Sequence, residues 1–363
     1  MTFQNRLSAF VTLGQFLNAQ LRSETAEFTD VLTRANHENA WFTHDNMRYA
    51  LQGVVSDLEE TNLGKWLVHY DFPVIANAVK QSGLLRHAVP RNDAVAKPKT
   101  VAVIMAGNLP LVGFRDFLAV LISGHKLLCK LSSKDSILQR YLAEKLIEIE
   151  PEFANYICFE QHVIKGFDAV IATGGNHAVE HFQTYFSKYP HIIRGHRNSV
   201  AILDGTENTD DLEGLFEDMF RYFGLGCRNV TKLFVPDDYD IQMLVDIGVR
   251  AENFPPLRDT LQYHHVYQNN YQYQTVVSAL CARQTIDAGV FLLVENSALT
   301  PPISVVHYER YSDLSDVRKQ LELQKNHIQC IVSKNDIAFG NAQKPGLLDY
   351  ADGVDTMSFL LDL

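Results

Sequence analysis

The chain has 363 residues, of which 46% are hydrophobic and 21% are charged, and its formal net charge is −11. This composition is typical of a globular protein with two or three domain cores. The acidic balance and the absence of a Lys/Arg stripe argue against a nucleic-acid-binding surface. Five cysteines without a CxxC pair argue against a disulfide framework and against a zinc or other metal site, and they indicate a reducing compartment.

The N-terminal residues do not have the pattern of a signal peptide, because Arg6 and Gln15 interrupt their apolar positions. No apolar run reaches the roughly 20 residues that a membrane span needs. We therefore expect a cytoplasmic protein without a membrane span.

Residues 1–99 are predicted to form a helical N-terminal region followed by a linker. Apolar residues recur near a 3.6-residue period in the first turns, as at Leu7, Phe10, Leu13 and Leu17, and similar patterns continue to residue 82. Glycine, proline and charged residues dominate 83–99, which predicts a loop or an exposed hairpin.

Residues 100–204 alternate between strand-like and helix-like patterns. The continuous apolar run at 100–106 is typical of a parallel strand covered on both faces. Further strands are predicted at 126–131, 156–161 and 167–174, helices at 111–123, 136–149 and 177–187, and extended chain at 192–203. This alternation predicts a doubly wound parallel sheet, the fold of a dinucleotide-binding domain.

Residues 205–345 are predicted to form a second α/β domain. Helices are expected at 210–223, 240–252 and 313–324, and strands at 232–236, 275–281, 290–295, 303–308 and 328–333. In the tail, 346–363, the apolar stretch 356–361 is predicted to be a strand that returns to a sheet edge.

A single cysteine in a glycine-rich turn is the strongest chemical signal. In Gly224-Leu225-Gly226-Cys227, the glycines allow a sharp turn and leave room for a carbonyl group near the sulfur. Such a thiol can attack an acyl carbon and hold the acyl group as a thioester. The alternative is that Cys227 is a small buried hydrophobic residue, which is common for cysteine.

Three predicted strands end in residues that suit ligand binding, because ligands of open α/β sheets bind beyond the carboxyl ends of strands. Asn108 follows Ala106 and Gly107, Gly174 and Gly175 follow Thr173, and Ser132 and Ser133 follow Lys130. Each motif also has a structural explanation. Asn108 could be an ordinary turn asparagine, Gly174 and Gly175 a helix start without a ligand, and Lys130 to Ser133 a solvated strand end. The usual dinucleotide and P-loop signatures are absent.

Together and in this order, the four motifs resemble the aldehyde dehydrogenase superfamily. Within it they are most similar to the acyl-CoA reductase family that includes the fatty-acyl reductase of bacterial luminescence. The likeness runs from about residue 100 to the C-terminus. The resemblance implies two Rossmann-like parallel-sheet domains and a homo-oligomer formed through 83–99 and the returning C-terminal strand.

The resemblance also implies roles for individual residues. Cys227 would accept the acyl group, and the side-chain amide of Asn108 would form an oxyanion hole with the backbone N–H of Cys227. Lys130 and Ser132 would contact the adenosine ribose or its phosphate, and the two glycines after Thr173 would lie near the pyrophosphate. The implied cofactor-binding residues are Ala106, Gly107, Lys130, Ser132, Ser133, Thr173, Gly174 and Gly175.

Three departures from the superfamily pattern refine this expectation. Hydrolytic members carry a water-activating glutamate where residues 193–198 of this chain have none. Its absence favours coenzyme A over water as the partner of the thioester. His196 lies in the same stretch and is either a structural histidine or an acid or base of the reaction. NAD-selective members carry an acid where this chain has Ser133 followed by Lys134, which favours NADPH, with NADH as the alternative. The ribose-binding Glu-x-Phe-Gly-Pro motif is degraded at 297–302, so its acid has no assigned counterpart.

The expected function is reduction of an acyl-CoA, or a related acyl thioester, to an aldehyde with NADPH through an acyl-enzyme at Cys227. One alternative is an acyltransferase or thioesterase that uses the same cysteine without hydride transfer. An ordinary aldehyde dehydrogenase and a non-catalytic interaction protein are further alternatives. Binding of NADPH and labelling of Cys227 by an acyl thioester would separate them.

Overall fold

A computed structural model describes residues 1–70, 72, 97–249 and 255–363. The chain divides into a first unit, Met1–Gly195 with Gly346–Leu363, and a second unit, His196–Pro345. Residues 83–96 of the predicted loop or hairpin, and the end of the predicted helical region beyond residue 72, lie outside the described residues. None of the described helices has the length and apolar character needed to cross a membrane.

The N-terminal region begins with four helices, as predicted: α1 (Phe3–Ser23), α2 (Ala26–Glu38), α3 (His44–Asp57) and α4 (Glu60–Leu67). A threonine caps each of the first three, because the side chains of Thr2, Thr25 and Thr43 accept hydrogen bonds from backbone N–H groups in the first turn. The apolar stripes of these helices pack into the core of the first unit.

The sheet of the first unit is fully parallel. Its strands are β1 (Thr100–Ile104), β2 (Lys126–Lys130), β3 (Ile157–Phe159), β4 (Ala169–Thr173) and β5 (His191–Arg194), in the order β3-β2-β1-β4-β5. The connecting helices are α5 (Phe114–Ser123), α6 (Ile137–Ile149) and α7 (Asn176–Phe186). The order reverses between β1 and β4, so the carboxyl ends of β1 and β4 flank a topological switch point.

The second unit is built on six strands: β6 (Asn198–Ile202), β7 (Val230–Pro236), β8 (Thr285–Asp287), β9 (Leu292–Glu295), β10 (Val305–Tyr311) and β11 (Ile328–Val332). Their order is β11-β6-β7-β10-β9-β8, and all pairs are parallel except β8 with β9. The helices are α8 (Thr209–Phe220), α9 (Gln242–Val249), α10 (Pro255–Tyr263), α11 (His265–Leu280) and α12 (Leu314–Leu323). Two parallel-sheet α/β units with a helical N-terminal region confirm the predicted architecture.

Two predicted strands are helical. Residues 275–280 fall in α11, and Cys281 is its C-cap. The fully buried Tyr267 anchors this helix, and the β-branched residues that suggested a strand express only a weak local preference. The tail forms α13 (Thr356–Leu361) instead of a returning strand. Asp355 caps α13 by accepting a hydrogen bond from the N–H of Ser358 at 2.9 Å. Met357 and Leu360, three residues apart, are buried in the core of the first unit, which is the spacing of a helix face.

The extended stretch predicted at 192–203 is two strands in different sheets. β5 pairs with β4, whereas β6 pairs with β7 and β11. Residues 198–202 therefore belong to the second unit, although the sequence assigned them to the first domain.

Candidate active site

The predicted cofactor-binding residues meet at the carboxyl edge of the first sheet. Because β2, β1 and β4 are parallel neighbours, the segments that follow them emerge at the same edge. The residues concerned are Ala106, Gly107 and Asn108 after β1, Lys130 at the end of β2 with Ser132 and Ser133 after it, and Thr173 at the end of β4 with Gly174 and Gly175 after it.

Gly107 and Ser132 bring two of these segments into direct contact. A Cβ added at Gly107 would lie 2.6 Å from the Cβ of Ser132 and 3.2 Å from that of Lys134. Only a glycine allows so close an approach. Asn39, just after α2, joins the same segments, since its side-chain amide donates to the carbonyls of Gly107 and Lys134, each at 3.3 Å.

Two carboxylates accept hydrogen bonds from backbone N–H groups of the segments at this edge. Asp135 is buried and accepts a hydrogen bond from the N–H of Leu111 at 2.8 Å, and burial raises the pKa of Asp135 to about 7. Glu38 accepts hydrogen bonds from the N–H groups of Ser136, at 2.9 Å, and Ile137, at 3.4 Å. Glu38 thereby caps α6, so the N-terminal helical region helps to form the edge.

The outer part of the edge carries lysine side chains and the backbone N–H groups at the start of α7. The ammonium group of Lys130 donates to the carbonyl of His162 at 2.9 Å, and Ser133 and Lys134 are exposed. Helix α7 starts after the exposed Gly175, which has no side chain that could cap it, so its first N–H groups are suited to an anion. One carboxylate, Glu160, follows β3, and hydrogen bonds from backbone N–H groups lower its pKa.

In the second unit, Cys227 lies half-buried in the turn between α8 and β7. Three consecutive residues before it, Tyr222, Phe223 and Gly224, have φ values of 57°, 61° and 74°. For the two aromatic residues this left-handed conformation costs about 1–2 kcal/mol each, so the surroundings must impose it.

Asn229 imposes much of this conformation. It is fully buried, and its amide nitrogen donates to the carbonyls of Asp218 at 3.1 Å, Met219 at 3.2 Å and Arg221 at 2.8 Å. Its side-chain oxygen accepts a hydrogen bond from the N–H of Gly226 at 2.8 Å. One side chain thus joins the end of α8 to the residue before the cysteine.

Ser199 fixes the cysteine turn to β6, and Asp218 fixes the end of α8 to the segment at 340–342. The hydroxyl of Ser199, on β6, donates to the carbonyl of Cys227 at 2.9 Å. The buried carboxyl of Asp218 accepts hydrogen bonds from the N–H groups of Gly340 at 2.7 Å and Ala342 at 2.9 Å, and burial raises its pKa to about 7.

A cavity of about 160 Å³ lies beside the turn, and all its lining residues belong to the second unit. Residues 223–226 line one side and residues 300–306 another, with the exposed His196 among the remaining lining residues.

The degraded ribose motif at 297–302 has a defined position here. The ammonium group of Lys232 donates to the carbonyl of Ser297 at 2.6 Å, and the hydroxyl of Thr231 donates to the carbonyl of Leu299 at 2.9 Å. The imidazole of His307 donates to the carbonyl of the intervening residue, Ala298, at 2.8 Å. Strands β7 and β10 therefore hold this segment, which leads into the cavity wall.

A family model described as acyl-CoA reductase (LuxC) matches residues 72–336. The chain belongs to this family. The family that the sequence motifs resembled is thus confirmed.

Similar curated proteins carry a related description. The long-chain acyl-protein thioester reductase 2 of Photobacterium leiognathi is 21% identical over 192 residues, which are 47% of this chain and 40% of that protein. The long-chain acyl-protein thioester reductase of Aliivibrio fischeri is 23% identical over 168 residues, 41% of this chain and 35% of the relative. The matched regions span less than half the length of these relatives.

Solved structures show the fold. HpcC from Thermus thermophilus has a TM-score of 0.61 at 10% identity, covering 92% of this chain and 70% of its own. Aldehyde dehydrogenase 21 from Physcomitrella patens has a TM-score of 0.59 at 12% identity, covering 92% of this chain and 74% of its own. The aldehyde dehydrogenase fold predicted for the chain is confirmed.

The predicted site residues fall into two groups that the structure describes separately. The cofactor-binding residues and the exposed Asn108 lie in the first unit, and Cys227 lies in the second. The oxyanion hole predicted for Asn108 with Cys227 stays a prediction. Sequence reasoning missed Asn39 and Asn229. Asn39 acts through hydrogen bonds to residues 68 and 95 positions away, which no local pattern reveals, whereas Asn229 accepts from Gly226, three residues before it.

Proposed function

We propose that the chain reduces an acyl thioester, such as an acyl-CoA, to an aldehyde with NADPH, and that Cys227 carries the acyl group between the two half-reactions. The observation that supports this most directly is that hydrogen bonds of Asn229 hold the turn of Cys227 beside a cavity, in a chain that belongs to an acyl-CoA reductase family.

In the first half-reaction, the thiolate of Cys227 attacks the thioester carbon. The bond from that carbon to the sulfur of coenzyme A breaks, and coenzyme A leaves as a thiolate that takes up a proton. The acyl group is then a thioester of Cys227. The side-chain amide of Asn108 and the N–H of Cys227 would stabilise the oxyanion of this step.

The acyl-enzyme has to survive until it is reduced. Residues 193–198, where hydrolytic aldehyde dehydrogenases are expected to carry their base, contain no glutamate. Without a general base, attack by water on the thioester is slow. This supports a reductase over a hydrolytic dehydrogenase.

The carboxyl edge of the first sheet fits a dinucleotide phosphate. The close approach at Gly107, the start of α7 after Gly175 and the cations Lys130 and Lys134 suit a pyrophosphate and a ribose phosphate. NADPH supplies a hydride to the acyl carbon when it is bound. Cys227 then releases the reduced carbon: the carbon–sulfur bond breaks as the hemithioacetal oxygen forms the aldehyde carbonyl, and the thiolate is restored.

Mass spectrometry of the protein after incubation with acyl-CoA tests the acyl-enzyme. We expect one acyl increment on Cys227, which added NADPH removes with release of aldehyde. Cys227→Ala should abolish both, whereas Cys281→Ala, which alters an exposed cysteine of the same unit, should retain them. Reduction of acyl-CoA by Cys227→Ala would refute the mechanism, and acylation without saturable NADPH binding would favour an acyltransferase.

A further inference from the structure

Asp135 does not have the usual role of an aspartate at the start of a helix. Such an aspartate commonly caps the helix by accepting a hydrogen bond from an N–H group of the first turn. Helix α6 begins at Ile137, and Glu38 at the end of α2 accepts the hydrogen bonds from the N–H groups of Ser136 and Ile137. The carboxyl group of Asp135 instead contacts another segment, where its Oδ2 accepts a hydrogen bond from the N–H of Leu111 at 2.8 Å.

The carboxyl group of Asp135 is buried at a cost in free energy. The residue is only 6% exposed, and its Oδ1 has no hydrogen-bond partner among the residues that the structure describes. Burial raises the pKa of Asp135 to about 7, although the hydrogen bond from Leu111 acts in the opposite direction. A buried polar group with an unsatisfied atom contributes little to stability, so the contact with Leu111 needs another explanation.

The hydrogen bond holds Leu111 in a backbone conformation that leucine disfavours. Its φ value is 58°, in the left-handed region that favours glycine. Asp135 binds its N–H, and its carbonyl accepts a hydrogen bond from the N–H of Phe114 at 2.9 Å. The side chain of Leu111 is buried as well. Contacts of the backbone on both sides, and of the side chain, thus fix this residue.

The position of Leu111 determines that of Asn108, three residues earlier in the chain. Leu109 and Pro110 lie between them. Proline fixes its own φ at about −65° and restricts the residue before it to extended conformations. Few dihedral angles between Asn108 and Leu111 therefore remain free, so a shift of Leu111 would also shift Asn108.

The residue before Asn108 is fixed too, since the amide of Asn39 donates to the carbonyl of Gly107 at 3.3 Å. The exposed Asn108 thus lies between two fixed points of the backbone. We propose that Asp135 is a positioning residue for Asn108: the hydrogen bond that it accepts from Leu111 keeps the side-chain amide of Asn108 where it stabilises the oxyanion of the acylation step. This rests on the proposed function, which gives Asn108 that role.

The experiment measures how fast Cys227 of the full chain gains an acyl group, by rapid-quench mass spectrometry. The probe is palmitoyl-CoA or hexanoyl-CoA, whichever acylates the wild type faster. Asp135→Ala removes the acceptor for Leu111, and we expect acylation to slow at least about tenfold, because small displacements of a catalytic group are costly. Asp135→Asn keeps an oxygen that accepts from Leu111, so its rate should stay within about threefold of the wild-type rate.

A double-mutant cycle with Asn108→Ala separates positioning from a purely structural role. Asn108→Ala alone should lower the acylation rate about a hundredfold, because it removes one oxyanion donor. In that background, Asp135→Ala should slow acylation by less than about twofold, since the group that Asp135 positions is gone. A structural role unrelated to Asn108 would slow acylation by the same factor in both backgrounds.

Asp168→Ala is the matched control. Asp168 also accepts a hydrogen bond from a backbone N–H, that of Thr100 at 2.7 Å, but at the start of β1 and not beyond its end. This variant should acylate at the wild-type rate. Asp135→Leu replaces Asp135→Ala if that variant does not fold, because a hydrocarbon of similar volume suits a buried position and equally lacks the acceptor.

Three results would overturn the positioning proposal while leaving the acyl-enzyme intact. They are wild-type acylation by the folded variant without the acceptor, equal slowing in Asp135→Asn and Asp135→Ala, and equal slowing by Asp135→Ala with and without the Asn108 side chain. An unchanged rate in Asn108→Ala would contradict the oxyanion role on which the proposal rests. Absence of an acyl increment on Cys227 with both acyl-CoAs would instead defeat the proposed function, so the failures are distinguishable.

Discussion

The side-chain oxygen of Asn229 accepts a hydrogen bond from the N–H of Gly226 at 2.8 Å, so the residues on either side of Cys227 and Arg228 are joined directly. The same side chain satisfies three carbonyls at the end of α8. Since Tyr222 and Phe223 hold left-handed backbone angles in between, the turn keeps a conformation that its own residues disfavour. This favours a thiol of fixed position, as a nucleophile requires.

Asn229→Asp tests this arrangement. The variant keeps the acceptor for Gly226 but loses the amide group whose two N–H hydrogens are shared among three carbonyls, and leaving a buried carbonyl without its partner costs about 1–3 kcal/mol. We expect a lower melting temperature and an acylation rate of Cys227 reduced by at least about tenfold. Rapid-quench mass spectrometry of the acyl-enzyme measures the rate.

Asn270→Ala is the matched control for that variant. Asn270 also donates to a backbone carbonyl, that of Val266, but this hydrogen bond lies entirely within α11. It should leave acylation unchanged. If Asn229→Asp acylates at the wild-type rate while folded, the bonds around Asn229 serve stability alone.

Gly107→Ala should weaken cofactor binding. The new Cβ would overlap the side chain of Ser132, 2.6 Å from its Cβ, and would push apart the segments that follow β1 and β2. We expect the Kd for NADPH, measured by fluorescence titration, to rise at least about tenfold, while acylation of Cys227 persists. Gly53→Ala is the control, because nothing lies within 4 Å of an added Cβ on that helical residue. An unchanged Kd for NADPH in Gly107→Ala would contradict the proposal that the cofactor binds at this edge of the sheet.

Features carried by neighbouring residues could be predicted from the sequence. The glycines before Cys227 and the polar strand ends lie next to the elements that position them, and the alternation of patterns predicts the two sheets. Six residues are too few to separate helix from strand by periodicity, and 356–361 became a helix because the core buries Met357 and Leu360.

Features assembled from distant residues could not be predicted. Asn39 lies 68 residues before Gly107, to which it donates a hydrogen bond, and its own neighbourhood gives no sign of this. The cavity takes its walls mainly from residues 219, 220, 223–226 and 300–306, which only the folded sheet brings together. Its shape is therefore a property of tertiary packing.

Ser133→Glu should shift the cofactor preference toward NADH. Ser133 is exposed at the edge next to Lys134, and a carboxylate there would repel the 2′-phosphate that distinguishes NADPH. We expect the ratio of kcat/KM for NADPH to that for NADH to fall at least about tenfold, and the effect to weaken as salt is raised. Ser187→Glu, at the far end of α7, adds the same charge and should leave the ratio unchanged. An unaltered ratio in Ser133→Glu would contradict the assignment of this position to the ribose phosphate.

His125 should make the first unit sensitive to acid. The N–H of Lys99 donates to Nδ1 of His125 at 3.1 Å, so the imidazole is neutral and donates from Nε2 to the carbonyl of Leu360 at 2.8 Å. Burial lowers the pKa of His125, and the positive charges of Arg6 and Lys99 act in the same direction, against the carboxylate of Asp168.

Since the unfolded chain binds this proton more tightly than the folded chain, His125 lowers stability as pH falls below about 6.5, by up to about 1.4 kcal/mol per pH unit. Asp135 and Asp218 act with the opposite sign, because their pKa values are raised to about 7 in the folded state and each takes up a proton on folding. The difference in stability between His125→Gln and the wild type therefore isolates the contribution of His125, whereas the wild-type curve alone does not.

Melting temperatures from pH 7.5 to 5.0 should fall less steeply on acidification in His125→Gln than in the wild type. The control His181→Gln, which removes an exposed imidazole from α7, should follow the wild type. Parallel curves for His125→Gln and the wild type would mean that the pKa of His125 is the same in the folded and the unfolded chain, which would contradict the lowering that burial causes.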